Sequence, residues 1–487
     1  DLNASGRWNP QTKLPMFNFT QFDTAFAWAA TVHAPVLLTV SAGTWGDGNL
    51  LPSGMPLNPG LLVTKGSTSG YFPTGAAYQS YIRVIVSHIM AANETVTYWG
   101  IGNELPLTNS TIVAAYIGLF NVAAKLIHKL TPAALIGTDV MMNKTYLPTF
   151  AKFATDVGFL SFHFYPSLGV CNVNGSYCPP RGPGNGTIDP RLWMPFASLN
   201  GQSFYNPDQA QSAWKNYTGH SLPVLDTESN LNGFGGGPLS ASLGTDPRQQ
   251  GLFGAAWTLS TLIDGARDNL TELTYFTFNG GTQVPNTVTG PYGGWGYGMT
   301  AQGPNGRDVE YAPYWALHIW SQSIPRAATA VQVVASVPGI LNLYAVKYEN
   351  RVTLVAVNQV DVPVNLQVQV NGTGWTGAWA HTLDGFSYVE KYNVSTQSVH
   401  LYKSGVRTTK LGHVGGPWNI SIQGYGVTAL RLLGAGVKAP FTLASPDDDD
   451  TPGTTPASGT PAFSPGPHLL APVSPPVAGT ASARWVD

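Results

Sequence analysis

The run Thr97–Pro106, TYWGIGNELP, is an apolar stretch of strand length that ends in Gly102, Asn103 and Glu104. A second run, Leu222–Asn230 (LPVLDTESN), carries Glu228 at its end. Each acid closes a strand-like segment, which predicts that both lie on the rim of a parallel sheet, the edge where an α/β barrel does its chemistry. The surrounding pattern agrees. Phe22, Phe26 and Ala29 share one helical face ahead of an apolar strand at Pro35–Val40, and Tyr78, Ile82, Ile85 and Ile89 mark the helix before the Glu104 strand. Helix Ile112–Leu130, strand Ala134–Val140, helix Leu147–Asp156, strand Phe159–Tyr165 and helix Gln209–Tyr217 follow. After the Glu228 strand come helix Gln249–Ala266 and strand Leu273–Phe278. Such alternation predicts an α/β fold of the (β/α)8 type.

Only six of the eight strands of a closed barrel can be read, so the expectation is an incomplete barrel lacking its first two strands. Unpaired strand edges are an aggregation hazard, and an N-terminal segment or partner chain is expected to supply the pair. From about Pro325 the period changes to two. Val362, Val364, Leu366, Val368 and Val370 alternate with polar residues, and similar runs at Asn342–Asn350, Val352–Val357, Ser398–Tyr402 and Val427–Leu433 are separated by Gly and Asn turns. This predicts an antiparallel β-sandwich. The expected organisation is a catalytic barrel over 1–324, a sandwich over 325–436 and a disordered Pro/Thr/Ser-rich tail over 437–487. The tail's Asp447–Asp450 run reads as solvated charge.

Charged residues make up 10% of the chain and the formal net charge is -2, which argues against a nucleic-acid or anionic-membrane partner. Twelve Asn-x-Ser/Thr sequons occur, at Asn3, Asn18, Asn93, Asn109, Asn143, Asn174, Asn185, Asn216, Asn269, Asn371, Asn393 and Asn419. That excess points to a glycosylated protein, secreted to the exterior or cell wall or held in a lysosome- or vacuole-type compartment. The two cysteines, Cys171 and Cys178, flank a short Gly/Pro-rich loop and read as a local disulfide. No apolar run reads as long enough to span a membrane.

A pair of carboxyls from distant strands suits the cleavage of a glycosidic bond. One protonates the leaving oxygen while the other attacks or activates water. Asn103 beside Glu104 adds an amide that can hold a sugar 2-hydroxyl. Asp226 lies two residues before Glu228, on the same expected strand face, so either acid could be the nucleophile, the one nearer the strand end having better access. Neither a metal nor an organic cofactor is expected.

WGIGNELP around Glu104, DTESNLNGFGGGP across Glu228, SFHFYP at Ser161–Pro166 and GYGMTAQ at Gly296–Gln302 together resemble the heparanase and β-glucuronidase family, glycoside hydrolase family 79. The resemblance covers about Phe19–Gly434 and is weaker in the sandwich. It implies a barrel with a β-sandwich and a retaining mechanism, with Glu104 as acid/base and Glu228 as nucleophile. It also places His163 and Tyr165 under the sugar, Tyr165 hydrogen-bonding the nucleophile. The Gly233–Gly237 run, Gly235 and Gly236 above all, would grip a uronate carboxylate through backbone N–H groups, with Tyr297 assisting. The expected ligand is then a glucuronic-acid-containing glycan or a small glucuronide. The lack of clustered Lys and Arg near the motifs disfavours heparan sulfate. Two further readings stand beside this one: a retaining glycosidase of the same clan acting on a xyloside or glucoside, and a glycan-binding protein without turnover.

Overall fold

The computed structural model describes residues 6–44, 51–65, 68–138, 144–165, 206–231, 250–282, 298–302, 308–333, 340–370, 375–393, 398–411 and 417–434. The chain divides into two compact units, the first comprising Asp1–Val170, Thr187–Gly235 and Thr261–Phe278 and the second Cys171–Gly186, Gly236–Ser260 and Asn279–Asp487.

In the first unit helices and strands alternate in the order α1 (Thr20–Thr31), β1 (Leu37–Val40), α2 (Gly75–Ala91), β2 (Tyr98–Ile101), α3 (Ser110–Leu130), β3 (Leu135–Thr138), α4 (Leu147–Phe153), β4 (Leu160–Phe164), α5 (Pro207–Thr218), β5 (Val224–Ser229), the part of α6 (Leu252–Arg267) from Thr261 onward, and β6 (Glu272–Tyr275). β1, β2 and β3 pair in parallel, as do β4, β5 and β6. A single parallel bridge, Gly137 to Phe159, links the two sets, so the six strands stand side by side in chain order. A Cβ at Gly137 would come within 2.5 Å of the Phe159 ring, and only glycine lets the chains approach so closely there.

Burial varies across this run. Most positions of β2, β3, β4 and β5 are buried, whereas β1 and β6, the outermost strands, are largely half-buried or exposed. Among the helices, α3 is the longest. Asn109 caps it by accepting from Ile112 N at 3.0 Å, and Tyr116 donates to the Ile101 carbonyl at 2.7 Å. Its length and composition would also suffice to cross a membrane, an exception to the expectation that no apolar run is long enough. In this fold its apolar face, including Ile112, Ile117, Phe120 and Ile127, is buried. Each such side chain contributes roughly 1.5–3 kcal/mol.

Four of the helices stop the same way. A residue with left-handed φ follows within two residues of the end of α1 (His33), α2 (Asn93), α5 (Gly219) and α6 (Asn269), the conformation that turns the chain out of a helix and satisfies its last carbonyls. Two antiparallel hairpins that the apolar pattern does not announce complete the unit, Arg7–Asn9 with Leu14–Met16 and Leu57–Lys65 with Thr68–Pro73.

The second unit contains α7 (Ala312–Ser323), also unannounced in the sequence, and strands β7 (Thr329–Val331), β8 (Leu341–Tyr348), β9 (Arg351–Asn358), β10 (Val364–Val368), β11 (Trp375–Leu383), β12 (Arg407–Lys410), β13 (Trp418–Ile422) and β14 (Val427–Gly434). Six form one antiparallel sheet in the order β7-β8-β9-β14-β11-β12, and β10 pairs with β13 in another. Leu343, Leu354 and Leu432 of the larger sheet and Val368, Trp418, Ile420 and Ile422 of the smaller belong to one buried cluster. The period-two pattern therefore makes antiparallel strands whose inner faces share a core.

Candidate active site

β2 delivers Glu104 through a tight turn. Gly102 donates its N–H to the Val40 carbonyl at 2.7 Å and has φ +84°. A Cβ there would meet Leu105 Cδ2 at 2.7 Å and Ala42 Cβ at 3.1 Å, so both conformation and space require glycine. Glu104 itself has φ +42°. The left-handed region costs a non-glycine residue on the order of 1–2 kcal/mol, and the buried side chain of Leu105 packs at the base of the turn.

The other acid comes from β5, whose neighbour β4 carries His163 directly opposite Glu228 in the parallel register. His163 Nδ1 lies 3.2 Å from Glu104 Oε1 and 3.6 Å from Glu228 Oε2, with the imidazole side chain only 6% exposed. One oxygen of each glutamate and a ring nitrogen of His163 all fall within 4.8 Å of one another. Tyr165, one residue past β4, donates its hydroxyl to Glu228 Oε1. The glutamate side chains are about a third and a fifth exposed, so both acids face solvent from a polar floor. Asn103 is half-buried in the turn beside Glu104.

Four expected site residues, Glu104, His163, Tyr165 and Glu228, are thus brought together, and Asn103 sits next to the first. Gly235, Gly236 and Tyr297 lie outside the described residues, as do Cys171 and Cys178.

The expectation for Asp226 is corrected. Asp226 pairs with Phe162 and Glu228 with His163, the register slipping by one residue at Thr227. Phe162 and His163 are consecutive and face opposite sides of the sheet, so this bulge turns Asp226 away from Glu228 rather than aligning the two. Asp226 is fully buried. Burial holds its carboxyl well above the ordinary carboxylate range. It cannot serve as the exposed nucleophile.

Residues around the bulge that the sequence did not single out fix its shape. Thr227 and Ser229 donate hydroxyls to the Phe162 and Phe164 carbonyls, each at 3.3 Å. Buried Asn230 donates to the Phe276 carbonyl at 2.5 Å and accepts from Leu231 N at 2.7 Å. Their only signal in the sequence is five polar residues in succession, DTESN, where an apolar strand should end.

Two carboxylates and an imidazole could also hold a divalent cation. The cavity of about 810 Å³ in the second unit offers no such chemistry. Val331, Leu341, Leu343, Leu354, Leu366 and Trp375 line it, and no carboxylate is among its lining residues.

No protein-family model matches the chain, and no curated protein is similar to it in sequence. Solved structures do share its fold. A glycoside hydrolase family 30 subfamily 8 xylanase, Xyn30A from Clostridium acetobutylicum, is 12% identical over 85% of either chain with a TM-score of 0.50. A family 44 endoglucanase produced by Clostridium acetobutylium ATCC 824 is 11% identical over 85% of this chain and 83% of its own, TM-score 0.50. A glucosidase from Croceicoccus marinus is 11% identical over 86% and 82%, TM-score 0.52. At these identities the likeness is one of fold, and the fold is one that glycoside hydrolases use.

Proposed function

We propose that this chain is a retaining glycoside hydrolase that cleaves β-D-glucuronides by double displacement. The observation that carries the reading is the approach of Glu104 and Glu228 to within 4.8 Å at the ends of two strands of one parallel series. Retaining enzymes hold their carboxyl groups about 5 Å apart, whereas inverting enzymes leave about 6.5–9.5 Å for a water. Glu228 attacks the anomeric carbon as Glu104 protonates the departing glycosidic oxygen. Glu104 then takes a proton from water, which displaces Glu228 and restores the original configuration. The Tyr165 hydroxyl orients the nucleophile and offsets its charge. His163, within reach of both acids, holds them in register. No cofactor takes part.

The choice of a glucuronide rests on the resemblance of the Gly233–Gly237 run and Tyr297 to a uronate-gripping loop. A second reading keeps both acids and changes the sugar to a xyloside or glucoside, supported by the fold shared with a xylanase and a glucosidase. A panel of aryl β-glycosides separates the two: the glucuronide should turn over fastest, and faster release from the xyloside or glucoside would replace the first reading with the second. Binding of glucuronic acid without turnover of any glycoside would leave a glycan-binding protein. A chelator should leave the rate unchanged, since the chemistry needs no bound cation, and loss of activity on chelation would favour a metal-held site.

A further inference from the structure

The parallel series has two ends. Glu104, His163, Tyr165 and Glu228 stand at or just past the C-terminal ends of β2, β4 and β5. The segments that feed the N-terminal ends of the strands form the opposite edge, since each helix runs back antiparallel to the strand it precedes. Three sequons fall there. Asn93 lies between α2 and β2, Asn216 in the last turn of α5 ahead of β5, and Asn269 between α6 and β6. All three asparagines are exposed.

A bland account covers part of this. Asn93 and Asn269 both have φ +56°, and asparagine tolerates the left-handed conformation better than most residues. The turn does not, however, call for a hydroxyl two residues later, and Thr95 and Thr271 supply one at both places, each exposed. Asn216 has no positive φ to explain it, yet Thr218 follows at the same spacing. Asn109 makes a useful contrast. It sits on the catalytic edge and spends its side-chain oxygen capping α3, whereas Asn269 donates its Nδ2 at the protein surface to Asp208 Oδ1 at 2.8 Å, a contact that glycosylation has to rearrange.

We propose that Asn93, Asn216 and Asn269 are N-glycosylated, which sheathes the edge of the sheet opposite the two glutamates and leaves the catalytic edge open to a polymeric substrate. In the modification each amide Nδ2 bonds the anomeric carbon of an oligosaccharide carried on a lipid diphosphate. The lipid diphosphate leaves and the amide gives up one proton. This inference does not depend on which glycoside the enzyme cleaves.

The test is secretion of the full chain behind a host leader from a eukaryotic cell, then enzymatic deglycosylation in heavy-oxygen water and peptide mass spectrometry. Labelled aspartate is expected at positions 93, 216 and 269. Thr95→Ala and Thr271→Ala should each abolish the label at the partner asparagine while leaving the turn intact and the melting temperature within about 2 °C of the parent. Absence of label at any of the three positions, or label at Asn18 or Asn109 on the catalytic edge, overturns the proposal, whether or not Asn419 is occupied.

Discussion

Gly102 and Gly219 have nearly the same backbone angle, φ +84° and +85°, at opposite ends of the parallel strands. Gly219 closes α5 and faces open space, with nothing within 4 Å of a Cβ placed on it. Gly102 leaves β2 beneath Leu105 and Ala42, and two residues on Glu104 is itself left-handed. One end of the sheet uses the left-handed conformation as a cheap way to stop helices. The other uses it under compression to aim a carboxyl across the sheet toward Glu228. Backbone strain persists where surrounding packing over-determines it, and such places tend to be functional.

The sharpest way to break the contrast is at the catalytic edge. Glu228→Gln should lower kcat on an aryl glucuronide by roughly 10⁴-fold or more, because the proposed mechanism gives the covalent step to that carboxylate. Near-parental activity would remove the basis for the proposed mechanism. Gly102→Ala should come next. A methyl group must force aside Leu105 or swing the turn, at a cost of about 3 kcal/mol in stability. Displacing Glu104 by an ångström would lower kcat on the order of 100-fold. Chemical denaturation and steady-state kinetics read the two effects separately.

Asp226 tests the bulge. Its folded pKa lies above the unfolded value because burial opposes ionisation. Above about pH 4 the unfolded carboxyl loses its proton first, so the folded state then binds more protons and stability falls as pH rises. Asp226→Asn mimics the neutral acid and cannot ionise. It should raise the melting temperature at pH 7, with the advantage shrinking toward pH 4, and leave kcat unchanged. A loss of turnover comparable to that of Glu228→Gln would mean that both acids face the substrate.

Much of this organisation is legible in the sequence because it rests on period and punctuation. Apolar runs closed by Glu104 and Glu228 give the strands and the ends at which the two acids meet, and the alternation at Val364, Leu366 and Val368 gives the antiparallel unit. The slip at Thr227 is not legible. A bulge adds one residue among polar ones, DTES, and leaves no break in an apolar pattern. The left-handed turn at Glu104 escapes for a related reason, since a carboxylate side chain carries no sign of its own φ. The Leu57–Pro73 hairpin reads as loop because Pro56, Pro59 and Gly60 punctuate it. Helix α7 is hidden by aromatic residues, Tyr314, Trp315 and Trp320, that suit strands as well as helices.

The smallest expected effect tests the other end of the sheet. Gly219→Ala introduces a methyl group into open space, so its cost is conformational alone. Holding alanine at φ +85° should destabilise the protein by about 1 kcal/mol, with kcat and KM unchanged because α5 ends far along β5 from Glu228. Gly219→Asn should recover most of that loss, since Asn93 and Asn269 already occupy the same conformation after α2 and α6. Equilibrium denaturation of the three proteins side by side decides the matter. If alanine at position 219 costs as much as alanine at 102, then conformation and not crowding governs both sites, and the turn beneath Glu104 is no more strained than an ordinary helix end.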